Sequence, residues 1–211
     1  LAAGALQQLI ACAKAHDADV AEGGYINFKA GYRRMHPHIA GTMPPETAYG
    51  MPWGKVMRRE LFAQAGFPKG YWFEDSVLHQ LILPRAKSCI GIAETVVERR
   101  LVESSAGHIS HGNPRSIDTV WVTLSLMRDR KKLGLARTQA NYEYLLDMAV
   151  ISNHRLEALD ETIRQAAFGV FASLIEEQYA GFVTEKKEKR ALEAALRKRQ
   201  YAKFKCWCAW F

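Results

Sequence analysis

The chain has 211 residues, 48% hydrophobic and 24% charged, with a net charge of +7; these proportions exclude wholesale disorder and a fibrous repeat. No apolar run approaches the roughly 20 residues that span a bilayer, and no charged-then-apolar leader is visible. The positive charge admits nucleic acid, an anionic membrane face or a phosphate-rich substrate, and its distribution has to choose among them.

Residues 5–16 predict an amphipathic helix through Leu6, Leu9, Ile10 and Ala13, a stripe that needs a partner preceding it in the chain. Residues 19–28 predict a strand whose exit is loosened by Gly23 and Gly24. Residues 29–51 are rich in Gly, Pro, His and Arg, include Met43-Pro44-Pro45, and show no sustained period. They read as a long surface loop of the kind that borders sites. Helical spacing returns over residues 52–65 through Trp53, Val56, Met57 and Phe62, and Gly66-Phe67-Pro68-Lys69-Gly70 breaks it. A second helix starts near Asp75 and carries Val77, Leu78, Leu81 and Ile82 up to Pro84; residues 88–92 and 95–102 are β-rich and predict one or two strands.

After His111 the character changes. Residues 116–133, 138–152, 159–179 and 184–205 all carry the 3.6-residue period with no strand between them. Ser116 reads as the N-cap of the first, with Gly134 just past its end. The last is strongly basic and runs into Trp207, Trp210 and Phe211. Four cysteines, Cys12, Cys89, Cys206 and Cys208, are too irregularly spaced for a disulfide framework or a doubled C-x-x-C zinc site. That fits a reducing cytoplasm. The fold class expected is α/β over residues 1–111, followed by an all-α domain over residues 112–211.

The string Pro52-Trp53-Gly54-Lys55-Val56-Met57-Arg58-Arg59-Glu60-Leu61-Phe62, followed by Phe67-Pro68-Lys69-Gly70-Tyr71-Trp72-Phe73-Glu74-Asp75, resembles the second half of glycosyltransferase family 2. In that family a W-x-K-x-x-x-R helix precedes F-P-x-G-x-x-x-E-D. The resemblance implies the acceptor-side half of a GT-A-type domain with a Rossmann-like sheet. It also implies an inverting transfer from a nucleotide-sugar donor to a hydroxyl acceptor such as a growing bacterial surface glycan. The family's metal-binding D-x-D loop is absent from this sequence, so the Mg or Mn ion of the full-length enzyme would take its ligands mostly outside the chain. Activity of the chain alone is therefore not expected.

Transfer with inversion is a single displacement, and a carboxylate that takes the attacking hydroxyl's proton contributes roughly 10²- to 10⁴-fold. By the resemblance Asp75 is that base, with Glu74 beside it in a different role; the alternative for Asp75 is an ordinary helix N-cap. Trp53 can wall a sugar face and Lys55 can meet a carboxylate or phosphate, the alternative being a core indole and a solvated ammonium. Arg99, Arg100 and His108 can face the donor diphosphate, where charge builds on the leaving group, or simply form an exposed strand edge. Tyr71 and Trp72 can line the acceptor cleft or belong to the core.

Weaker signals are the metal-like pairs His36-x-His38 and His108-x-x-His111, neither with a third ligand, and Cys206-x-Cys208, which reads as small residues in a terminal helix. The basic final helix can lie on anionic lipid at the inner membrane face, or pack its aromatic end on its own domain. No nucleic-acid signature accompanies the charge, and no nucleic-acid partner is expected. Beside the enzyme stands an alternative, a non-catalytic module that recruits a partner or an anionic membrane through this helix.

Overall fold

The structure, a computed structural model, describes residues 1–105, 109–110 and 112–210. His108, His111 and Phe211 lie outside the described residues. The chain divides into two compact units: residues 1–69, 74–105 and 129–135 form the first, and residues 70–73, 106–128 and 136–211 the second. The architecture is α/β followed by helices.

In the first unit α1 (Ala5–Ala15) leads into β1 (Val20–Lys29), close to both expected spans. Leu9 of α1 is 1% exposed and packs with Ala21, Ile90 and Val96, whereas Leu6 and Ile10 face outward. Residues 20–24 of β1 are all buried, as in a strand covered on both faces. One edge of β1 pairs in parallel with β5 (Cys89–Arg100). The other edge is shared by two antiparallel strands, β2 (Tyr32–His36) on the later half and β4 (Lys55–Met57) on the earlier. A short β3 (Gly41–Met43) pairs antiparallel with the start of β5. The two β-rich segments expected at 88–102 are thus one strand, interrupted where its register against β1 shifts around Gly24.

Three expectations for the first unit are corrected. Residues 29–51 are not structureless, because β2 forms a hairpin with β1 and β3 adds an edge. The exposed Tyr32-Arg33-Arg34-Met35 buries no face, so its strand leaves no period-2 signal and is held by main-chain pairing instead. Residues 52–65 form no α-helix. Gly54 adopts φ 77°, a left-handed break, and Lys55–Met57 is drawn into pairing with Val20–Glu22, leaving one 3₁₀ turn at Arg59–Phe62. The helix expected from Asp75 is a 3₁₀ turn (Glu74–Ser76), a wide π-type turn (Leu78–Ile82) and a second 3₁₀ turn (Leu83–Arg85). Its apolar residues are buried as the spacing predicts, but Pro84 has no N–H to offer the Gln80 carbonyl. Arg130, 3% exposed, donates to that carbonyl instead at 2.6 Å.

The second unit holds most of α2 (Asp118–Lys132), then α3 (Gln139–Arg155), α4 (Glu161–Gln178), α5 (Arg190–Arg197) and α6 (Tyr201–Cys208). Thr138 caps α3 by accepting from Asn141 N at 3.3 Å, and Asp160 caps α4 by accepting from Thr162 N at 2.7 Å. Gly134 at φ 64° follows the end of α2, as expected. The expected Ser116 cap is not found. Asn113 caps a 3₁₀ turn ahead of α2, and the buried Ser116 hydroxyl donates to the Ser110 carbonyl. The single basic helix expected over 184–205 is broken at Arg199, φ 51°, where Gln200 N turns back to Ala195 O at 2.8 Å. The core of this unit joins Tyr142, Leu145 and Leu146 of α3, Phe171 and Ile175 of α4, Leu196 of α5 and Phe204 of α6, all at most 2% exposed.

Candidate functional site

Glu22 stands in the most buried stretch of β1 at 0% exposure. A carboxylate is tolerated at such a position only if its oxygens are fully occupied. Lys55 lies directly opposite on β4 in the pairing register and donates from Nζ to Glu22 Oε2 at 2.6 Å, each side chain being 1% exposed. His38 Nε2 stands 2.7 Å from Oε1, and Tyr49 N donates to both oxygens at 3.1 Å. Lys55 also donates to the Tyr49 carbonyl. Glu22 thereby pins the segment around Tyr49 and His38, two residues past β2, to the centre of the sheet.

Two glycines make room for the rings that surround this carboxylate. A Cβ on Gly91 of β5 would stand 2.5 Å from His38 Nδ1 and 2.1 Å from Ile39 O, and one on Gly50 would stand 2.5 Å from His79 Nε2. Any side chain at either position would displace a histidine. Burial, and next the Lys55 charge, hold the His79 imidazole below its ordinary pKa, with Glu22 acting weakly the other way. Burial pushes the Cys89 thiol up to about 12 and, with Tyr25 and Glu22 nearby, raises the Tyr49 phenol. A thiol so placed is not a nucleophile.

Beside the ion cluster lies a group of half-buried rings. Tyr25 stacks on His36 at 4.4 Å between centroids and receives Trp53 and Tyr49 edge-on at 5.0 and 5.6 Å. The Arg99 guanidinium stands 5.9 Å from the Trp53 ring. Trp53, Lys55 and Arg99 are therefore brought together, and the solvated alternative for Lys55 is excluded. The carboxylate that Lys55 meets belongs to the chain itself. Arg100 is exposed at the end of β5.

Glu74 and Asp75 also belong to the first unit, in the 3₁₀ turn, with Glu74 exposed and Asp75 half-buried. The backbone around them is irregular. Phe73 sits at φ 63°, an outlier for a bulky residue, and the π-type turn begins at Leu78. Gln80, 1% exposed, has neither amide atom hydrogen-bonded among the described residues. Strain, π-turns and orphaned buried polar groups each concentrate at functional sites.

Tyr71 and Trp72 belong to the second unit. Tyr71 is 48% exposed, and Trp72 donates from its main chain to Asp118 at 3.0 Å under the Arg115 guanidinium. Phe73 is covered in the same unit by the Arg155 guanidinium, 3.6 Å from its ring centroid.

Sequence reasoning missed Glu22, Tyr25, Tyr49, His79 and Gln80, and noted His38 only as half of a metal-like pair rather than as a partner of Glu22. The legible signal was Glu22 itself, a charge inside the apolar run Val20-Ala21-Glu22-Gly23-Gly24-Tyr25-Ile26, which calls for a buried partner. Among the described residues no three His, Cys, Asp or Glu side chains gather as a metal site. His36 accepts from the Asn27 amide at 3.2 Å while His38 turns to Glu22. Cys206 is exposed and Cys208 buried.

No known protein-family model matches the chain, and no curated protein matches it.

Proposed function

We propose that the chain is the acceptor-side part of an inverting glycosyltransferase of the GT-A type, with Asp75 as the base. The observation that carries the reading is the irregular backbone of residues 73–82, centred on the one dipeptide that the order Trp53-x-Lys55, Phe67-Pro68-x-Gly70, Glu74-Asp75 marks as catalytic. Ordinary N-capping requires neither a left-handed phenylalanine nor a π-type turn.

In this mechanism an acceptor hydroxyl attacks the anomeric carbon opposite the leaving nucleoside diphosphate. The hydroxyl becomes acidic as its oxygen bonds to carbon, and the Asp75 carboxylate takes the proton. Glu74, exposed beside it, orients polar groups rather than sharing the proton. The Tyr25, Tyr49 and Trp53 rings offer an apolar face to a sugar, and Arg99 and Arg100 offer cations to the diphosphate. Lys55 acts through the buried ion cluster, holding Tyr49 in position. The nucleotide-binding half, with the ligands of the Mg or Mn ion, would come from outside this sequence, and the reaction would run in the cytoplasm.

The test is Asp75→Asn in the full-length gene product, assayed against a panel of nucleotide sugars and hydroxyl acceptors. Turnover should fall by roughly 10²-fold or more with the melting temperature unchanged. Undiminished turnover would remove Asp75 from the mechanism.

A further inference from the structure

α6 is apolar on two sides. One side, Tyr201, Phe204 and Cys208, is turned into the helical core, where Phe204 is 2% and Cys208 0% exposed. The other carries Ala202, Lys203, Cys206 and Trp207, which with Trp210 line an open hollow. Trp207 is 39% and Trp210 83% exposed. The turn after α6 keeps the two indoles adjacent, since Trp210 N donates to Trp207 O at 3.1 Å.

The surrounding charge selects what such a face meets. Residues 194–211 contain five basic residues, Arg197, Lys198, Arg199, Lys203 and Lys205, and no Asp or Glu. Arg197, Arg199 and Lys205 are paired with Glu193, Glu176 and Glu161. Lys203, on the hollow itself, has no ion pair among the described residues. A two-fold contact with a second copy would place two unpaired Lys203 ammonium groups in one interface with no acidic residue from 194–211 to offset them. Indoles with an apolar body and one N–H partition to the headgroup level of a bilayer, and lysines beside them meet lipid phosphates.

We propose that this face of α6 docks on an anionic lipid bilayer, with Trp207 and Trp210 at the headgroup level and Lys203 against the phosphates. No helix among the described residues is long and apolar enough to cross a membrane, so the contact is peripheral. It is independent of the glycosyltransferase reading.

The test is cosedimentation of the full chain with vesicles of phosphatidylcholine and phosphatidylglycerol, and of phosphatidylcholine alone, at low and high salt. Binding should require phosphatidylglycerol and weaken with salt. Lys203→Gln should reduce it by about fivefold, and Trp207→Ser with Trp210→Ser by about tenfold or more. Both indoles lie outside the core, so the double variant should melt as the parent does. Quenching of parent fluorescence by brominated lipid gives a readout that needs no variant. Absence of binding, equal binding by the tryptophan variant, or no quenching would each overturn the proposal. So would a doubled mass in light scattering, abolished by the tryptophan substitutions, since a second copy would then occupy the face.

Discussion

Gln80 keeps its amide at 1% exposure with no hydrogen-bond partner among the described residues. An orphaned buried amide is destabilising, and a functional site is where such a defect is retained. Gln80→Met, of similar length and apolar, should raise the unfolding free energy by about 1 kcal/mol in urea titration. An unchanged or lower midpoint would mean that the amide is satisfied after all. His79 sets a pH dependence. Its folded pKa lies below the ordinary 6.5, chiefly through burial and then through the Lys55 charge. The unfolded chain therefore binds the proton first as pH falls, and the His79 contribution is complete above 6.5 and drains from there down to the folded value. His79→Gln should flatten that part of the stability profile, measured by chemical denaturation at a series of pH values. A profile that keeps its slope would assign the proton elsewhere. Neither residue was legible as special beforehand, because a Gln or His on a turn shows its burial only when the partner elements close over it.

At the scale of elements, the basic C-terminal segment changes meaning once folded. Read as one amphipathic helix it was a charged stripe. In the structure Lys189, 4% exposed, bonds Asp147 and lies 3.7 Å from Glu143. Arg197 donates to the Tyr142 hydroxyl at 2.9 Å and to Glu193 at 3.3 Å. Tyr142 in turn donates to Glu193, so one hydroxyl ties α3 to α5. Burial and Glu193 both push the Tyr142 phenol upward, which keeps it a donor. Tyr142→Phe should lower the unfolding free energy by about 2 kcal/mol, since the 5%-exposed Glu193 loses a charge-assisted bond. A midpoint shift within error would show that Arg197 and Thr184 satisfy that carboxylate alone. The helices themselves were legible from their period, and Gly134 from its place just past α2, because a left-handed C-cap is local chemistry; the N-cap expected at Ser116 was not, since a 3₁₀ turn capped by Asn113 precedes α2. β2 and β4 were not, because an exposed strand and a three-residue strand take their stability from a neighbour far along the chain.

For the whole molecule, each of the two units has its own core. On the proposed reading the metal ligands and most nucleotide contacts lie outside these residues, so calorimetric titration of this chain with nucleotide sugars and Mn should show no metal-dependent binding. Tight metal-dependent binding would mean the donor site lies within these residues. The sequence by itself determined α1 and β1, the β-rich run that became β5, the change from mixed α/β to helices after His111, and the catalytic candidate at Glu74-Asp75. All of these follow from local periodicity, turn chemistry and a short motif. Only the tertiary structure decided that Lys55 meets Glu22, that Trp53 joins Tyr25 and Arg99, and that Trp207 and Trp210 remain on the surface. Pairing across a sheet and the choice of which apolar face is covered depend on residues distant in the chain. No single segment carries that information.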